Sequence, residues 1–181
     1  VGRDRCFPDT SLAIEYFEDK LLDVMKRDHR LPEDDSFDLS AFFSFYGMDA
    51  MEMERLERYF VIQEFATDSA IFKLGDPGDY LYIIQKGCVD VVLPLPGERY
   101  KRLVTLAAGA IFGEMGILDH KPRSATVIAT TATSCYVLDR DRFKVLQEEQ
   151  PRIATNLFRI IALILADRLR GSNIMIAELE S

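Results

Sequence analysis

The sequence predicts a mainly β domain, a small barrel or roll, with helices before and after it in the chain. Three observations predict this class. Between about residues 61 and 139, short apolar runs rich in β-branched residues alternate with glycine and proline. On both sides of this region, apolar residues recur with the period of a helix. Several short strands at regular spacing are typical of all-β barrels and rolls.

The helical pattern appears first in residues 1–30, where four apolar residues recur at steps of three and four: Ala13, Phe17, Leu21 and Val24. A proline beside acidic residues in 31–36 predicts a solvated turn, and we interpret residues 31–47 as a linker. The aromatic residues between Phe37 and Phe45 are too apolar to remain in water. We therefore expect them to dock on the domain or on a partner.

Residues 48–181 are interpreted as one domain that begins with a helix over Met48–Phe60. The β-roll extends over about residues 61–139. Its five strand candidates are Leu81–Ile84, Val89–Leu93, Leu103–Leu106, Ala125–Ile128 and Cys135–Leu138. Four turn signals lie between these runs, at Gly75–Asp79, Lys86–Gly87, Pro94–Gly97 and Ala108–Gly109.

Residues 140–181 are predicted to be helical, as a short helix up to Gln150 and a longer one from Pro151, which suits a first helical turn. Basic residues followed by Gly171 mark a point where the long helix either ends or continues. The broad apolar stripe from Ile153 to Leu169 fits either a core face or a seam through which two copies pair as a homodimer.

Composition limits the classes of function. The 181 residues suffice for one domain with helical extensions, and the net charge of −8 argues against nucleic acid as a partner. The longest apolar run, Ile160–Ala166, is too short to cross a bilayer, so we expect no membrane insertion. The three cysteines are widely spaced, as in reduced cytosolic proteins. Because the chain begins with Val1, we expect it to be a piece of a longer protein.

Catalysis and metal binding are not predicted. A metal-binding enzyme of the cupin type needs several converging histidines, and the sequence contains only His29 and His120. The sequence shows neither a Ser/His/Asp arrangement nor a phosphate-binding P-loop. We therefore expect no catalytic residues, no metal site and no cofactor other than a bound ligand.

One segment, Ile111–Val127, carries the residues suited to a ligand, and we call it the cassette. A short helix beginning near Glu114 would present free N–H groups that attract an anion. Arg123 follows nine residues later, where its guanidinium could pair bidentately with a phosphate. A carboxylate in the same pocket would instead accept hydrogen bonds from hydroxyl groups. A ligand with one phosphate and one sugar hydroxyl would satisfy both side chains.

The cassette, with its Phe-Gly-Glu start and its Pro-Arg-Ser-Ala end, resembles the phosphate-binding cassette of the cyclic nucleotide-binding domain family. The glycines at Gly75, Gly78 and Gly87 match further signatures of that family. The resemblance implies a double-stranded, jelly-roll-like β-roll followed by hinge and lid helices. It assigns the cyclic phosphate to Arg123 and the ribose 2′-hydroxyl to Glu114. It assigns supporting roles to Gly113, Met115, Ser124 and Ala125, and a wall for the base to Ile83.

Residues 7–22 resemble the last helix of a STAS domain in SulP-type anion transporters. This resemblance implies that the chain is the C-terminal module of a bacterial transporter with an attached STAS domain, at the cytoplasmic face of the inner membrane. The predicted function is then a regulatory module that binds cAMP or cGMP and relays helix movement to the transporter. The alternative is a degenerate member of the family that serves as a structural, interaction or dimerisation domain without nucleotide.

Overall fold

The computed structural model describes residues 37–97 and 99–179, with side chains up to residue 171. The predicted helix in residues 1–30 and the start of the predicted linker, residues 31–36, lie outside the described residues. The elements are α1 (Leu39–Phe45), α2 (Ala50–Glu57), β1 (Val61–Phe65), β2 (Ala70–Phe72), β3 (Tyr80–Lys86), β4 (Cys88–Leu95), β5 (Arg99–Ala107), β6 (Ile111–Phe112), α3 (Glu114–Asp119), β7 (Thr126–Ala129), β8 (Thr133–Asp139), α4 (Arg140–Glu149) and α5 (Pro151–Leu179).

Eight strands form two antiparallel sheets of four strands each. The strand orders are β1-β8-β3-β6 and β2-β7-β4-β5. This architecture confirms the predicted β-roll with flanking helices. Four of the five predicted strands fall within β3, β4, β5 and β8, and the fifth, Ala125–Ile128, overlaps β7, which begins one residue later. Strands β2 and β6, with three and two residues, carry too few alternating residues to stand out in the sequence.

The interior of the roll is an apolar cluster contributed by both sheets: Tyr82, Ile84, Val89, Phe112, Val127, Cys135 and Val137. Because successive side chains of a strand point to opposite faces, Tyr82 and Ile84 face this interior. Ile83 is fully buried in the second cluster, among residues of the flanking helices. Ile83 therefore faces the flanking helices and not the roll interior, and its predicted contact with the base stays a prediction.

The second cluster joins the flanking helices to the roll. It contains Leu81 and Ile83 from β3 together with residues of α1, α2, α4 and α5, among them Phe43, Leu56, Leu146 and Leu157. The first half of the α5 stripe is therefore core, since Ile153, Leu157, Ile160 and Ile161 are buried. Pairing of two copies through the C-terminal helices stays a prediction.

The aromatic segment predicted as the end of a linker forms helix α1. Asp38 caps it by accepting hydrogen bonds from the N–H groups of Ser40 and Ala41. Leu39 and Phe43 are buried in the helix-facing cluster. The structure thus differs from the predicted linker over residues 39–45, because burial of these side chains stabilises a helix that propensity alone would not predict.

Polar contacts also connect α1 and α2 to the C-terminal helices. The hydroxyl of Tyr59 donates to Glu149 at 2.7 Å. Glu52, which also closes the capping box of α2, pairs with Arg152 at 3.0 Å. A guanidinium nitrogen of Arg159 donates to the carbonyl oxygen of Tyr46 at 2.6 Å. These three contacts join the N-terminal helices to the end of α4 and the start of α5.

Helix α5 runs from Pro151 to Leu179, so Gly171 does not end it. Residues 37–166 belong to one compact unit, and the helix from Asp167 onward belongs to a second. Within that second unit, Arg170 Nη1 bonds to Asp167 Oδ1 at 2.6 Å. In the part of the chain that the structure describes, no helix has the length and apolar character needed to span a membrane.

Candidate functional site

The cassette folds as strand β6, one short helix and a loop that leads into β7. Gly113 joins the strand to α3 with φ +74°, in the left-handed region that glycine adopts at low cost. Helix α3 has only six residues and ends at His120, which is also left-handed. The chain then passes Pro122 and returns Arg123 to the side of the roll where α3 began. The two turns thus bring together residues nine positions apart.

Arg123 is 5% exposed, and its guanidinium points into the protein. Nη1 donates to the carbonyl oxygen of Gly113 at 2.7 Å, and Nη2 donates to that of Tyr80 at 2.8 Å. The guanidinium carbon lies 4.2 Å from the centre of the Phe72 ring, within the range of a cation–π contact. Within the described residues, Nε is buried without a hydrogen-bond partner.

The glycine-rich turn before β3, Gly75–Asp79, forms hydrogen bonds with the backbone of Arg123. The N–H of Arg123 donates to the carbonyl oxygen of Asp76 at 2.9 Å, and the N–H of Gly75 donates to the carbonyl oxygen of Arg123 at 2.9 Å. The carboxylate of Asp76 accepts from the N–H of Lys73 at 2.7 Å, which is turn chemistry. The turn therefore fixes the backbone of Arg123 through main-chain hydrogen bonds, while its side chain points into the protein.

Glu114 is the first residue of α3 and is 5% exposed. Burial lowers the pKa of the Arg123 guanidinium from its ordinary value, while Tyr82, Asp79 and Glu114 act on this pKa in the opposite direction. Because Arg123 donates to the carbonyl oxygen of Gly113, the residue before Glu114, the guanidinium lies against the start of α3. The structure brings the two principal predicted residues, Glu114 and Arg123, to one buried site.

The remaining predicted residues differ in how closely they approach Arg123 and Glu114. Gly113 contacts Arg123 directly through its carbonyl oxygen. Met115 is 50% exposed, and its sulfur lies 3.7 Å from the hydroxyl of the exposed Ser124. Ala125 is buried at the start of the return into β7. Ile83 lies on the face of β3 that packs against the flanking helices, away from the roll interior.

Sequence reasoning missed the aromatic residues beneath Arg123. Tyr82 and Phe112 stack with ring centres 4.9 Å apart, and Phe72 lies 5.9 Å from Phe112. Burial raises the pKa of Tyr82 to about 12. Strand alternation places Tyr82 and Ile83 on opposite faces of β3, but both are apolar, so the sequence did not show which of them lies inside the roll. Phe72 gave no signal either, because its strand has three residues.

Among the described residues, two cavities were found that neither Arg123 nor Glu114 lines. The larger, of about 600 Å³, is lined by residues where β3 and α4 begin: Asp79, Tyr80, Asp139, Arg140, Asp141 and Arg142. The other, of about 240 Å³, is lined by Leu39, Glu57, Phe60, Ile62 and Tyr136. The apolar cluster inside the roll is bordered by partly buried residues, of which Phe72 contacts Arg123: Phe65, Ile71, Phe72, Val91, Leu106 and Ala110. In the described part of the chain, no group of acidic, histidine and cysteine side chains could hold a metal ion.

Residues 62–150 match the family model of the cyclic nucleotide-binding domain. These residues belong to the cyclic nucleotide-binding domain family. The matched residues begin at the second residue of β1 and include the rest of the roll, the cassette and α4. The family match therefore agrees with the resemblance that the cassette motif indicated, while the roles of the individual cassette residues stay predictions.

Relatives of this cyclic nucleotide-binding domain include regulators and an enzyme. A CRP-like cAMP-activated global transcriptional regulator of Mycobacterium tuberculosis is 30% identical over 135 residues, which are 75% of this chain and 58% of that protein. Glutaminase 1 of Bradyrhizobium diazoefficiens is 33% identical over 171 residues, which are 94% of this chain and 26% of the enzyme. The chain thus spans about a quarter to somewhat over half of these relatives. Neither of them is an anion transporter.

Solved structures show the same fold. A cyclic nucleotide-binding domain from Methylobacillus flagellatus has a TM-score of 0.69 and 29% identity, with 74% of this chain and 78% of that chain covered. The catabolite activator protein of Thermus thermophilus has a TM-score of 0.64 and 31% identity, with 76% and 63% covered. The β-roll with flanking helices is therefore shared with both a separate domain and a larger regulator.

Proposed function

We propose that the chain is a non-catalytic module that binds cAMP or cGMP at Arg123 and Glu114. The observation that carries this proposal is the buried guanidinium of Arg123, whose hydrogen bonds go to two neutral carbonyl oxygens and whose Nε has no partner within the described residues. A buried charged group with an unpaired donor is costly. A phosphate oxygen would satisfy that donor and supply the opposite charge.

The second requirement is a group that recognises the sugar. Glu114 is buried beside the arginine, where a carboxylate can accept hydrogen bonds from a ribose hydroxyl. The guanidinium carbon of Arg123 lies 4.2 Å from the centre of the Phe72 ring and 5.8 Å from that of Tyr82, so an aromatic, apolar surface borders the arginine. A cyclic nucleotide presents one phosphate, one free ribose hydroxyl and one planar base, so its chemistry fits the three surfaces together.

Isothermal titration with cAMP, cGMP and linear AMP tests the proposal. We expect the native chain to bind one of the cyclic nucleotides, and Arg123→Ala to lose about 2–5 kcal/mol of binding free energy. Arg58→Ala is the matched control, because Arg58 forms an exposed pair with Glu54 away from the cassette. Equal affinity of the native chain and Arg123→Ala would show that the site lies elsewhere.

Glu114→Gln separates recognition of the sugar from recognition of the phosphate. This isosteric change removes charge but retains the volume of the side chain, so we expect it to weaken binding of cAMP more than binding of 2′-deoxy-cAMP. Equal losses for both ligands would contradict the role of Glu114 on the ribose. Circular dichroism of each variant checks that the roll is intact.

The second candidate function is a structural or interaction domain without nucleotide. It is favoured by the two carbonyl oxygens and the Phe72 ring, which already surround the guanidinium. The regulatory subunit of a cAMP-independent protein kinase A from Trypanosoma brucei has the same fold, with a TM-score of 0.55 and 26% identity. Thermal melting decides between the two, since a ligand at 100 times its Kd adds about 2.7 kcal/mol of stability. Unchanged melting with every cyclic nucleotide favours the second candidate.

The larger protein is also a matter of proposal. A SulP-type transporter with a STAS domain, at the cytoplasmic face of the inner membrane, rests on the resemblance of residues 7–22. The match to Glutaminase 1 over 94% of the chain favours a second candidate for the parent protein, in which the module is attached to a metabolic enzyme. In either parent, nucleotide binding would shift the position of the C-terminal helices. The contacts of Glu52 and Tyr59 with α5 and α4 would carry that shift to the N-terminal helices.

A further inference from the structure

Arg140 begins helix α4, and its side chain turns back toward the cassette. Its Nη2 atom donates to the carbonyl oxygens of Gly116 at 3.1 Å and of Gly78 at 3.2 Å. The same atom lies 3.1 Å from Oδ1 of Asp79. The side chain is 34% exposed, so these contacts are only partly screened by water. One guanidinium nitrogen therefore joins the glycine-rich turn, the cassette helix α3 and the start of α4.

The two carbonyl groups converge on Arg140 because the segments that carry them touch through glycine. A Cβ atom added at Gly78 would lie 2.6 Å from the Cα of Gly116, and one added at Gly116 would lie 2.5 Å from the Cα of Gly78. No other residue permits such an approach of two backbones. The turn and α3 are therefore in direct backbone contact, and Arg140 binds where they meet.

The same turn also carries Arg123. Its Asp76 carbonyl accepts from the Arg123 backbone, and the Tyr80 carbonyl after it accepts from the Arg123 guanidinium. Asp79 is adjacent to Tyr80 and binds Arg140 through both its carboxylate and its carbonyl oxygen, which accepts from the Arg140 N–H at 2.9 Å. A change at the Arg123 site that displaces this turn must therefore alter the contacts of Arg140.

We propose that Arg140 is a positioning residue that transmits nucleotide occupancy from the cassette to helix α4. This inference rests on the proposed binding of a cyclic nucleotide at Arg123. Ligand-induced movement of the turn or of α3 changes the distances from Arg140 to Gly78, Asp79 and Gly116, and so biases the start of α4 between two positions. The residue acts through the cassette and does not touch the nucleotide.

Arg142 offers a matched control within the same helical turn. Its Nε pairs with Asp139 at 3.2 Å, so its contact remains local to the start of α4. Arg140→Met removes the charge and the three side-chain contacts, two with the glycine-rich turn and one with the cassette, while retaining much of the apolar side-chain volume. Asp79→Asn is a milder second variant, because it removes the charge of one partner without changing its shape.

Amide hydrogen exchange of the whole chain, with and without cAMP or cGMP, tests the inference. In the native chain we expect the nucleotide to change exchange in both α3 and α4. In Arg140→Met we expect the change in α3 to remain and that in α4 to shrink by about 2- to 30-fold. Asp79→Asn is expected to give a smaller loss of the same sign, and Arg142→Met to behave as the native chain.

The outcomes separate this inference from the proposed function. If α3 and α4 both respond to the nucleotide in Arg140→Met and in Asp79→Asn as they do in the native chain, the role of Arg140 is overturned. The proposed binding then still stands. An equal loss of the α4 response in Arg142→Met also overturns it, because any charge at the helix start would then suffice. No change anywhere in the native chain overturns both the proposed binding and the inference.

Discussion

Gly113 offers a direct test of how tightly the site is built. A Cβ atom at this position would lie 2.8 Å from Nη1 of Arg123, 2.9 Å from the carbonyl oxygen of Tyr80 and 3.1 Å from a ring carbon of Tyr82. The first two distances are shorter than ordinary carbon contacts permit. Gly113→Ala must therefore displace the guanidinium or the backbone of β3.

The magnitude follows from two separate effects. Gly113 has φ +74°, and a left-handed conformation costs a residue with a side chain about 1–2 kcal/mol. Forcing an extra methyl group into a filled site adds about 1–3 kcal/mol. Gly97 isolates the first effect, since it has φ +78° and no atom within 4 Å of an added Cβ. Gly113→Ala should therefore lower the free energy of unfolding by about 1–3 kcal/mol more than Gly97→Ala does.

Urea unfolding followed by circular dichroism measures both variants against the native chain. We expect a lower midpoint for Gly113→Ala with an unchanged slope, since the native fold and the surface exposed on unfolding stay the same. If a nucleotide binds, its affinity should fall in Gly113→Ala and stay native in Gly97→Ala, because only the first displaces Arg123. Equal stability of the two variants would refute the close approach at Gly113.

Two further predictions concern buried groups inside the roll. Burial raises the pKa of Tyr82 to about 12 from its usual value of about 10. Its contribution to stability is therefore fully present below pH ~10 and lost as the pH rises through ~12, and Tyr82→Phe should flatten the loss of stability over that window in alkaline unfolding. An unchanged pH profile would contradict this. Burial also raises the pKa of the Cys135 thiol to about 12, so we expect a thiol reagent at neutral pH to modify the half-buried Cys88 well before Cys135. Peptide mass spectrometry checks this order, and equal rates would show that the roll opens.

The sequence predicted the parts of this protein that are local. The cassette is one continuous segment, so the spacing of Glu114 and Arg123 around a short helix could be recognised before any fold was known. The strands β3, β4, β5, β7 and β8 were also visible, because each contains a run of β-branched or aromatic residues. Local chemistry and local period were sufficient for these features.

The features that sequence reasoning missed depend on distant segments. Ile83 and Tyr82 are adjacent and both apolar, so the choice of which one faces the roll interior required the position of the flanking helices. Phe72 is separated from Arg123 by about fifty residues, and its contact with the guanidinium exists only after β2 has paired with β7. Helix α1 is short, and burial of Leu39 and Phe43 rather than helical propensity stabilises it.

The position of Arg123 and of α3 depends on the glycine-rich turn, which lies outside the cassette. Backbone hydrogen bonds from Gly75 and to Asp76 fix Arg123, while Asp79 binds Arg140 at the other end of the same turn. A side chain at Gly78 would separate the turn from α3 and break this arrangement without touching Arg123 or Glu114. The positions of Arg123 and Glu114, the two side chains proposed to bind the nucleotide, therefore depend on a turn that lies outside the cassette. A family member could retain both side chains and still lose the site through this turn.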